Sequence, residues 1–295
     1  MFEKVLILTD FSEHARRIME CLSGIPGIRE IVLLHVIKNI RTPMGRQIIE
    51  AFVTHAAEKS LKADKIYLET LCPHIKVTPV LTTSSDSAGT ILEIAEKNGA
   101  DLIIISSYGL SLPVGMVTGN VSTEVLCRIS RINVLVMRHK IIKTLFGKTY
   151  TKFCPMIFSR ILCPTDFSPY SERAIALVGS LKGVGEIILL HVVPQNDTER
   201  DNKETARTAE IRMGAIRDTL AAQGIQSRAI VTTGQPAGRI TETAEEEDVS
   251  VIWISSYGKG CFHDLFAGST AHDVVMKTKR PVIIIRAVDE GGHQT

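Results

Sequence analysis

The same succession of motifs occurs twice in this sequence, and the duplication limits the possible folds more than any other feature. Val5-Leu-Ile-Leu-Thr-Asp-Phe-Ser12 matches Ile161-Leu-Cys-Pro-Thr-Asp-Phe-Ser168 at an offset of 156 residues. Ile31-Val-Leu-Leu-His-Val36 matches Ile187-Ile-Leu-Leu-His-Val192 at the same offset. Self-similarity at a fixed distance indicates a tandem duplication. We therefore expect two copies of one domain.

Each half alternates short runs of β-branched residues with longer amphipathic stretches. This βαβα alternation is typical of a parallel sheet that helices cover on both faces. The sequence thus predicts an α/β protein with two tandem doubly wound domains, each a five-stranded parallel sheet. The predicted strands lie near 4–9, 30–36, 76–81, 101–106, 133–137, 160–164, 186–193, 226–231, 250–255 and 282–286. The predicted helices lie near 13–22, 45–66, 87–98, 120–130, 171–182, 199–223, 236–247 and 269–278.

The predicted domains cover 1–139 and 159–288, and a polar tail follows at 289–295. The basic connector at 140–158 has no counterpart after the second half, and we expect a linker with one or two helical turns. The last strand of each half, 134–137 and 282–285, is apolar and would leave an exposed edge that invites pairing. We expect the halves to pack as an intrachain pseudo-dimer through these strands.

Composition and charge argue against several classes of protein. The net charge is +2 with acidic and basic residues mixed, so no basic stripe indicates a nucleic-acid partner. No apolar run reaches the roughly 18 residues of a membrane span, and the first residues lack the pattern of a signal peptide. The six cysteines form no C-x-x-C pair. We expect a cytoplasmic protein that binds neither nucleic acid nor membrane.

A glycine loop follows the fourth predicted strand of each half. An apolar run ends in Ser-Ser-Tyr-Gly, at Gly109 and Gly258, and nine residues separate this glycine from a second one that opens a predicted helix. Backbone N–H groups and the positive end of a helix dipole favour phosphate at such a place. A single copy would be taken for ordinary loop glycines, but repetition at the same spacing favours an anion-binding loop.

Two aspartates end the first strand of their halves, Asp10 and Asp166, on the sheet edge where ligands bind in doubly wound folds. A carboxylate there can accept hydrogen bonds from a ribose hydroxyl or a base amine. It can equally cap the following helix, a role that Ser12 and Ser168 could take instead. The sequence leaves both interpretations open. His35, like His191, ends a strand on the same edge, where a lone histidine is more often structural.

Together these motifs resemble the universal stress protein family. The Thr-Asp-Phe-Ser turn, the Leu-Leu-His-Val strand and a glycine loop close to Gly-x2-Gly-x9-Gly-Ser/Thr carry the resemblance, which covers nearly the whole chain as a tandem pair. The resemblance implies a five-stranded parallel sheet. In one branch of the family it also implies ATP or AMP bound between the first and fourth strands, and Mg²⁺ would accompany ATP.

In that branch the strand-one Asp and the Val after Leu-Leu-His hold adenine, while the loop glycines and hydroxyl residues hold ribose and phosphates. The nucleotide-binding residues implied in the second half are Pro164, Thr165, Asp166, Val192, Ser255, Gly258, Gly268, Ser269 and Thr270. Those implied in the first half are Thr9, Asp10, Val36, Ser106, Gly109, Gly119 and Asn120. No residue is assigned a catalytic or metal-binding role.

Both halves depart from the family pattern. The first loop glycine is replaced by Ser106 and by Ser255, and in the first half Asn120 stands where the family has Ser or Thr. Leu8 also replaces the proline that the second half keeps as Pro164. The first half is therefore the weaker match to a nucleotide site.

The leading interpretation is an adenine-nucleotide-binding stress-response sensor or regulator, not an enzyme, with slow ATP hydrolysis at most. The alternative, favoured by Ser106 and Ser255, is a nucleotide-independent stress-response scaffold of the same fold. A serine hydrolase is a third class, but neither copy has the Gly-x-Ser-x-Gly turn that exposes such a nucleophile. The family resemblance further implies a homodimer.

Overall fold

A computed structural model describes residues 2–38, 46–106, 121–128, 131–138, 140–144, 147–151, 156–194, 199–256 and 270–286. The chain divides into two compact units, Met1–Met137 and Arg138–Thr295. Among the helices in the described ranges, none combines the length and the apolar character that crossing a membrane requires.

The first unit is a parallel sheet with helices in its crossover connections. Its strands are β1 (Lys4–Leu8), β2 (Glu30–Lys38), β3 (Lys76–Ser84), β4 (Leu102–Ser106) and β5 (Asn133–Met137). Its helices are α1 (Glu13–Cys21), α2 (Arg46–Leu71), α3 (Ser87–Lys97) and α4 (Val121–Arg128). The strand order is β5-β4-β1-β2-β3, so β1 pairs in parallel with both β2 and β4. The order reverses direction at β1, and ligands of doubly wound sheets bind at such a point.

The second unit repeats this arrangement after a short hairpin. The hairpin strands are β6 (Lys140–Thr144) and β7 (Gly147–Thr151), and the sheet strands are β8 (Arg160–Pro164), β9 (Glu186–Val193), β10 (Gln226–Thr233), β11 (Val251–Ser255) and β12 (Val282–Ile285). The helices are α5 (Pro169–Gly179), α6 (Glu199–Ala222), α7 (Pro236–Glu246) and α8 (Thr270–Lys277). The order is β10-β9-β8-β11-β12, and β8 pairs in parallel with β9 and β11. The expected fold class is confirmed.

Successive residues of the central strands are buried, rather than every second one. Val5, Leu6 and Ile7 of β1 are fully inaccessible to solvent, as are Ile161 and Leu162 of β8. Side chains of neighbouring strand residues point to opposite faces, so both faces of each sheet must be covered. Each such aliphatic side chain contributes about 1.5–3 kcal/mol when it leaves water. This burial explains the uninterrupted apolar runs seen in the sequence.

Two details of the sequence prediction were wrong. The connector carries the antiparallel hairpin of β6 and β7 instead of helical turns, with Lys140 opposite Thr151. Its sequence, Lys-Ile-Ile-Lys-Thr followed by Gly-Lys-Thr-Tyr-Thr, is rich in the β-branched and aromatic residues that favour strands. Helix α2 also continues to Leu71 instead of ending near 66. No glycine or proline occurs between Arg46 and Pro73, so the helix has no earlier reason to stop.

Candidate functional site

In the first unit, a cleft of about 260 Å³ opens at the carboxyl ends of β1 and β4. The end of β1 and the turn after it contribute Thr9 and Asp10, β2 contributes Val36, and β4 contributes Ser106. The starts of α1, α3 and α4 add Ser12, His14, Ala15, Ser87, Val121 and Ser122 to the lining. The cleft thus lies at the point where the strand order reverses. It is of the order of the smallest ligand pockets, about 300 Å³.

A tight turn shapes the β1 side of this cleft. The Oγ1 atom of Thr9 accepts a hydrogen bond from the backbone N–H of Phe11 at 3.1 Å. The Oδ1 atom of Asp10 accepts one from the N–H of Ser12 at 3.0 Å, and Ser12 caps α1 by accepting from Ala15 N–H at 3.2 Å. Phe11 has a φ of 63°, a conformation costly for a side chain with a Cβ. The side-chain bonds on either side hold the turn in this conformation.

The second unit forms the same turn. Thr165 accepts from the N–H of Phe167 at 3.0 Å, and Asp166 accepts from the N–H of Ser168 at 3.0 Å. Ser168 caps α5 through the N–H of Ser171, and Phe167 has a φ of 60°. The repeated Thr-Asp-Phe-Ser sequence therefore encodes a specific turn in which each of three side chains satisfies a backbone donor.

This geometry distinguishes the two roles considered for the aspartates, which were binding a ligand and capping the following helix. In the first unit the helix cap is Ser12, and Asp10 uses only one oxygen, Oδ1, to hold the turn. Within the described residues, the other oxygen of this exposed carboxylate has no hydrogen-bond partner. Asp10 lines the cleft, so Oδ2 is available to accept a hydrogen bond from a ligand.

The strand-end histidines support the turn from β2 and β9. The Nδ1 atom of His35 lies 2.7 Å from the carbonyl oxygen of Thr9, and that of His191 lies 2.7 Å from the carbonyl oxygen of Thr165. A carbonyl oxygen only accepts, so each ring donates through Nδ1–H, which fixes its tautomer when neutral. The His35 ring also stacks on Phe11 with centroids 4.2 Å apart. These contacts give the histidines a structural role, and His35 also lines the cleft.

Sequence reasoning missed a buried carboxylate behind the first turn. Asp64 of α2 is completely buried, its Oδ2 accepts the Thr9 hydroxyl proton at 2.8 Å, and its Oδ1 accepts from Nε of Arg16 at 3.2 Å. A signal existed in the spacing, because Asp64 falls on the helix face that buries Leu61 and Leu68. A charged residue at such a position is almost always paired.

Three helices direct their first turns toward the cleft, and this arrangement favours an anion. The N-terminus of a helix carries partial positive charge and free N–H groups. Ser122 of α4 donates to the carbonyl oxygen of Ser106 at 3.1 Å, which ties that helix to the end of β4. At α3 the cap is Asp86, which accepts from the N–H of Gly89 and pairs with Arg128 at 2.7 Å. These contacts hold the pKa of Asp86 below its usual value.

The structure brings together part of the expected nucleotide site in each unit. In the first unit Thr9, Asp10, Val36 and Ser106 line one cleft. In the second unit, Pro164, Thr165, Asp166, Val192 and Ser255 lie at or next to the carboxyl ends of β8, β9 and β11. Thr270 is the first residue of α8. The remaining expected residues, Gly109, Gly119, Asn120, Gly258, Gly268 and Ser269, lie outside the described residues.

Comparison with protein families gives a match in each half of the chain. The model of the universal stress protein family matches residues 1–138 and again residues 158–286. The two matches together span most of the sequence, and each contains one copy of the strand, turn and glycine-loop motifs.

Individual relatives agree with this match. The chain is 28% identical over 157 residues to universal stress protein MJ0577 of Methanocaldococcus jannaschii, with 44% of this chain and 96% of that protein covered. It is 25% identical over 148 residues to universal stress protein YxiE of Bacillus subtilis, with 44% and 100% covered. Among solved structures, a universal stress protein from Archaeoglobus fulgidus covers 98% of this chain, and 97% of that protein is covered, with a TM-score of 0.75 and 23% identity. The last similarity is one of fold.

Proposed function

Because this chain belongs to the universal stress protein family, we propose that it binds an adenine nucleotide, ATP or AMP, and acts as a stress-response sensor or regulator. The observation that carries the proposal is the cleft of the first unit, where Thr9, Asp10, Val36 and Ser106 meet at the reversal of strand order. A doubly wound sheet binds its ligands at this place.

Each part of the cleft suits one part of a nucleotide. The available oxygen of Asp10 can accept from the adenine amine, and the β2 backbone at Val36 can lie beside the base. At the start of α4, N–H groups and the positive dipole end can face phosphate, whereas Ser12 and the Asp86 carboxylate already cap α1 and α3. Gly109 and Gly119 in the loop after β4 would let the backbone approach ribose and phosphate closely. ATP would carry Mg²⁺ with its phosphates.

The second unit is proposed to hold nucleotide through the equivalent residues. Asp166 and Val192 would receive adenine, and Gly258, Gly268 and Ser269 would receive ribose and phosphates. We propose that binding occurs without rapid turnover, so that occupancy reports the nucleotide concentration instead of consuming it. A homodimer of the whole chain accompanies this proposal, and sedimentation equilibrium would test it.

Isothermal titration of the full chain with ATP and with AMP tests the proposal. We expect saturable binding to the wild type and a loss of about tenfold or more for Asp10→Asn at the first site, since a hydrogen bond to a charged group contributes about 1.5–3 kcal/mol. Asn keeps the oxygen that accepts from Ser12 N–H but replaces Oδ2 with a donor that opposes the adenine amine. Glu93→Gln, on the exposed surface of α3, is the matched control and should bind like wild type.

The second candidate is the nucleotide-independent scaffold, which the serines at 106 and 255 favour. Absence of saturable binding of both ATP and AMP to wild type would reject the nucleotide proposal and leave the scaffold. The serine-hydrolase alternative gains no support from Ser256, which is only 4% exposed. A covalent serine probe with intact protein mass measurement would detect such a nucleophile.

A further inference from the structure

A second cavity of about 420 Å³ forms a groove between α5 and α6 in the second unit, lined by residues other than those expected to bind nucleotide. Its floor contains Ile175 and Leu220, which are buried, together with Ile216, which is half-buried. Ala176 and Thr219 line it with short, exposed side chains. The groove therefore has an apolar floor, and the residues Ala176 and Thr219 that flank it are small.

The first unit has the same pair of helices, and there a large side chain crosses the gap. At the 156-residue offset, Glu20 of α1 corresponds to Ala176 of α5. The buried positions Ala57, Leu61 and Leu68 of α2 match Ala209, Met213 and Leu220 of α6. This alignment pairs Tyr67 of α2 with Thr219 of α6.

Tyr67 bridges α2 and α1 in the first unit. Its hydroxyl donates to Oε1 of Glu20 at 3.0 Å, and Arg17 holds the same carboxylate at 3.2 Å. Burial of the ring, and then the bond to Glu20, raises the pKa of Tyr67 above its ordinary value. A half-buried phenol ring thus covers the helix pair in the first unit, while the second unit has Thr219 and Ala176 at these positions.

We propose that the groove between α5 and α6 binds a small phenol, with its ring in the position that Tyr67 has in the first unit. The floor of Ile175, Ile216 and Leu220 supplies the apolar contact that an aromatic ring requires. The mouth of the groove carries Glu172 and Gln223, whose side-chain oxygens can accept a hydroxyl proton as Glu20 does. The cavity volume lies within the range of pockets for small ligands, about 300–1,000 Å³.

The charged residues at the mouth of the groove indicate which net charge a ligand can carry. Arg212 pairs with Glu172 at 3.0 Å, and its guanidinium lies 4.2 Å from the centre of the Phe167 ring. The acid and the base at the mouth neutralise each other, so the groove offers no net charge to a strongly charged ligand. A neutral hydroxylated ring fits this combination of an apolar floor and a paired polar rim.

Titration of the full-length protein with p-cresol, the tyrosine side chain as a free molecule, tests the proposal by methyl NMR. We expect saturable shifts of the Ile175, Ile216 and Leu220 methyl groups with a dissociation constant on the order of 1 mM. Toluene, which lacks the hydroxyl, should bind about threefold or more weakly, because one hydrogen bond contributes about 0.5–1.5 kcal/mol. These readouts are independent of any nucleotide.

Two variants use the duplication as an internal control. Thr219→Tyr should fill the groove, weaken p-cresol binding by about tenfold or more, and leave the melting temperature equal or higher. Tyr67→Thr, which keeps Glu20 as the acceptor of a hydroxyl proton, should open the equivalent groove and add a second set of saturable shifts around Leu68. Absence of saturable shifts in the wild type, or undiminished binding to a folded Thr219→Tyr variant, would overturn the proposal.

Discussion

The hydroxyl of Thr9 donates a hydrogen bond to the buried carboxylate of Asp64 at 2.8 Å, whereas its counterpart Thr165 donates to the hydroxyl of Ser171. Ser171 gives its own proton to the Ser168 carbonyl oxygen at 3.0 Å, so its oxygen is left to accept. The two units therefore hold the same turn from different helices. At the position of Ser171 the first unit has Ala15, and at the position of Asp64 the second has Ile216.

This exchange of partners predicts a compensating pair of substitutions. Asp64→Ile should lower the free energy of unfolding by about 1–3 kcal/mol, because it leaves the buried Thr9 hydroxyl without an acceptor. Ala15→Ser in the same chain should restore most of this loss, because it supplies the acceptor used in the second unit. Urea-induced unfolding, followed through the transition of the first unit, measures the free energy of unfolding of both variants. A double variant no more stable than Asp64→Ile would contradict the prediction.

The histidine contacts predict which ring nitrogen carries the proton. At a pH where the rings are neutral, His35 and His191 should both be in the Nδ1–H tautomer, because each Nδ1 faces a carbonyl oxygen at 2.7 Å. Long-range ¹H–¹⁵N spectra of the imidazole rings distinguish the tautomers directly. An Nε2–H form for either ring would be incompatible with this geometry.

The ion pairs at the amino ends of the first sheet predict an acid-dependent loss of stability. Hydrogen bonds from Lys76 at 2.7 Å and from Lys4 hold the pKa of Glu30 below its usual value. The folded state thus binds protons less readily here than the unfolded state, so the contribution is present above the unfolded pKa and disappears as the pH falls through the folded one.

For Glu30→Gln we accordingly expect a stability loss of under about 1 kcal/mol at pH 7 that shrinks as the pH falls below about 4. The loss should also shrink at high salt, since the group is partly exposed. Urea unfolding across this pH range measures it. A loss that grows on acidification would show that another interaction of Glu30 dominates.

The sequence of the second half predicts tighter nucleotide binding there than in the first. Ser269→Ala should weaken binding by about tenfold or more, because a hydroxyl bond to a charged phosphate contributes about 1.5–3 kcal/mol. Asn120→Ala in the first half should weaken binding less. The first half lacks the proline and hydroxyl residues of the second, so its site has less binding free energy to lose. Two-site titration measures both, and equal losses would reject the ranking.

ATP turnover should be slow in either half. Rapid phosphoryl transfer needs groups that neutralise and orient the γ-phosphate, usually a lysine with Mg²⁺ and a residue that positions water. Lys259 follows Gly258 directly in the second half, but Leu110 holds that position in the first, so no shared catalytic group is evident. Steady-state hydrolysis above about 1 s⁻¹, abolished by Ser269→Ala, would instead identify an enzyme.

The local signals in the sequence were sufficient for the strands and for the position of the Thr-Asp-Phe-Ser turns, and they named Ser12 and Ser168 as candidate caps that the structure then identified. Their causes lie within a few neighbouring residues, such as Ser12 and the N–H of Ala15. Asp64 and the groove beside Thr219 were not predicted, because each depends on which helix faces lie together after folding. The hairpin was missed for another reason, since periodicity alone cannot assign a short apolar run to helix or strand, although the β-branched residues of this segment favour strands.

The two units also differ in the polarity of one helix-to-helix ion pair. In the first, Arg16 of α1 faces Asp64 of α2, and in the second, Glu172 of α5 faces Arg212 of α6. Tandem copies of one domain risk exchanging elements while they fold. An exchanged α1 would bring Arg16 against Arg212, and an exchanged α5 would bring Glu172 against a buried Asp64. Repulsion between these like charges would lower the stability of a domain that contains the other copy's helix. The opposite polarity of the two ion pairs thus favours pairing of each helix with its own domain.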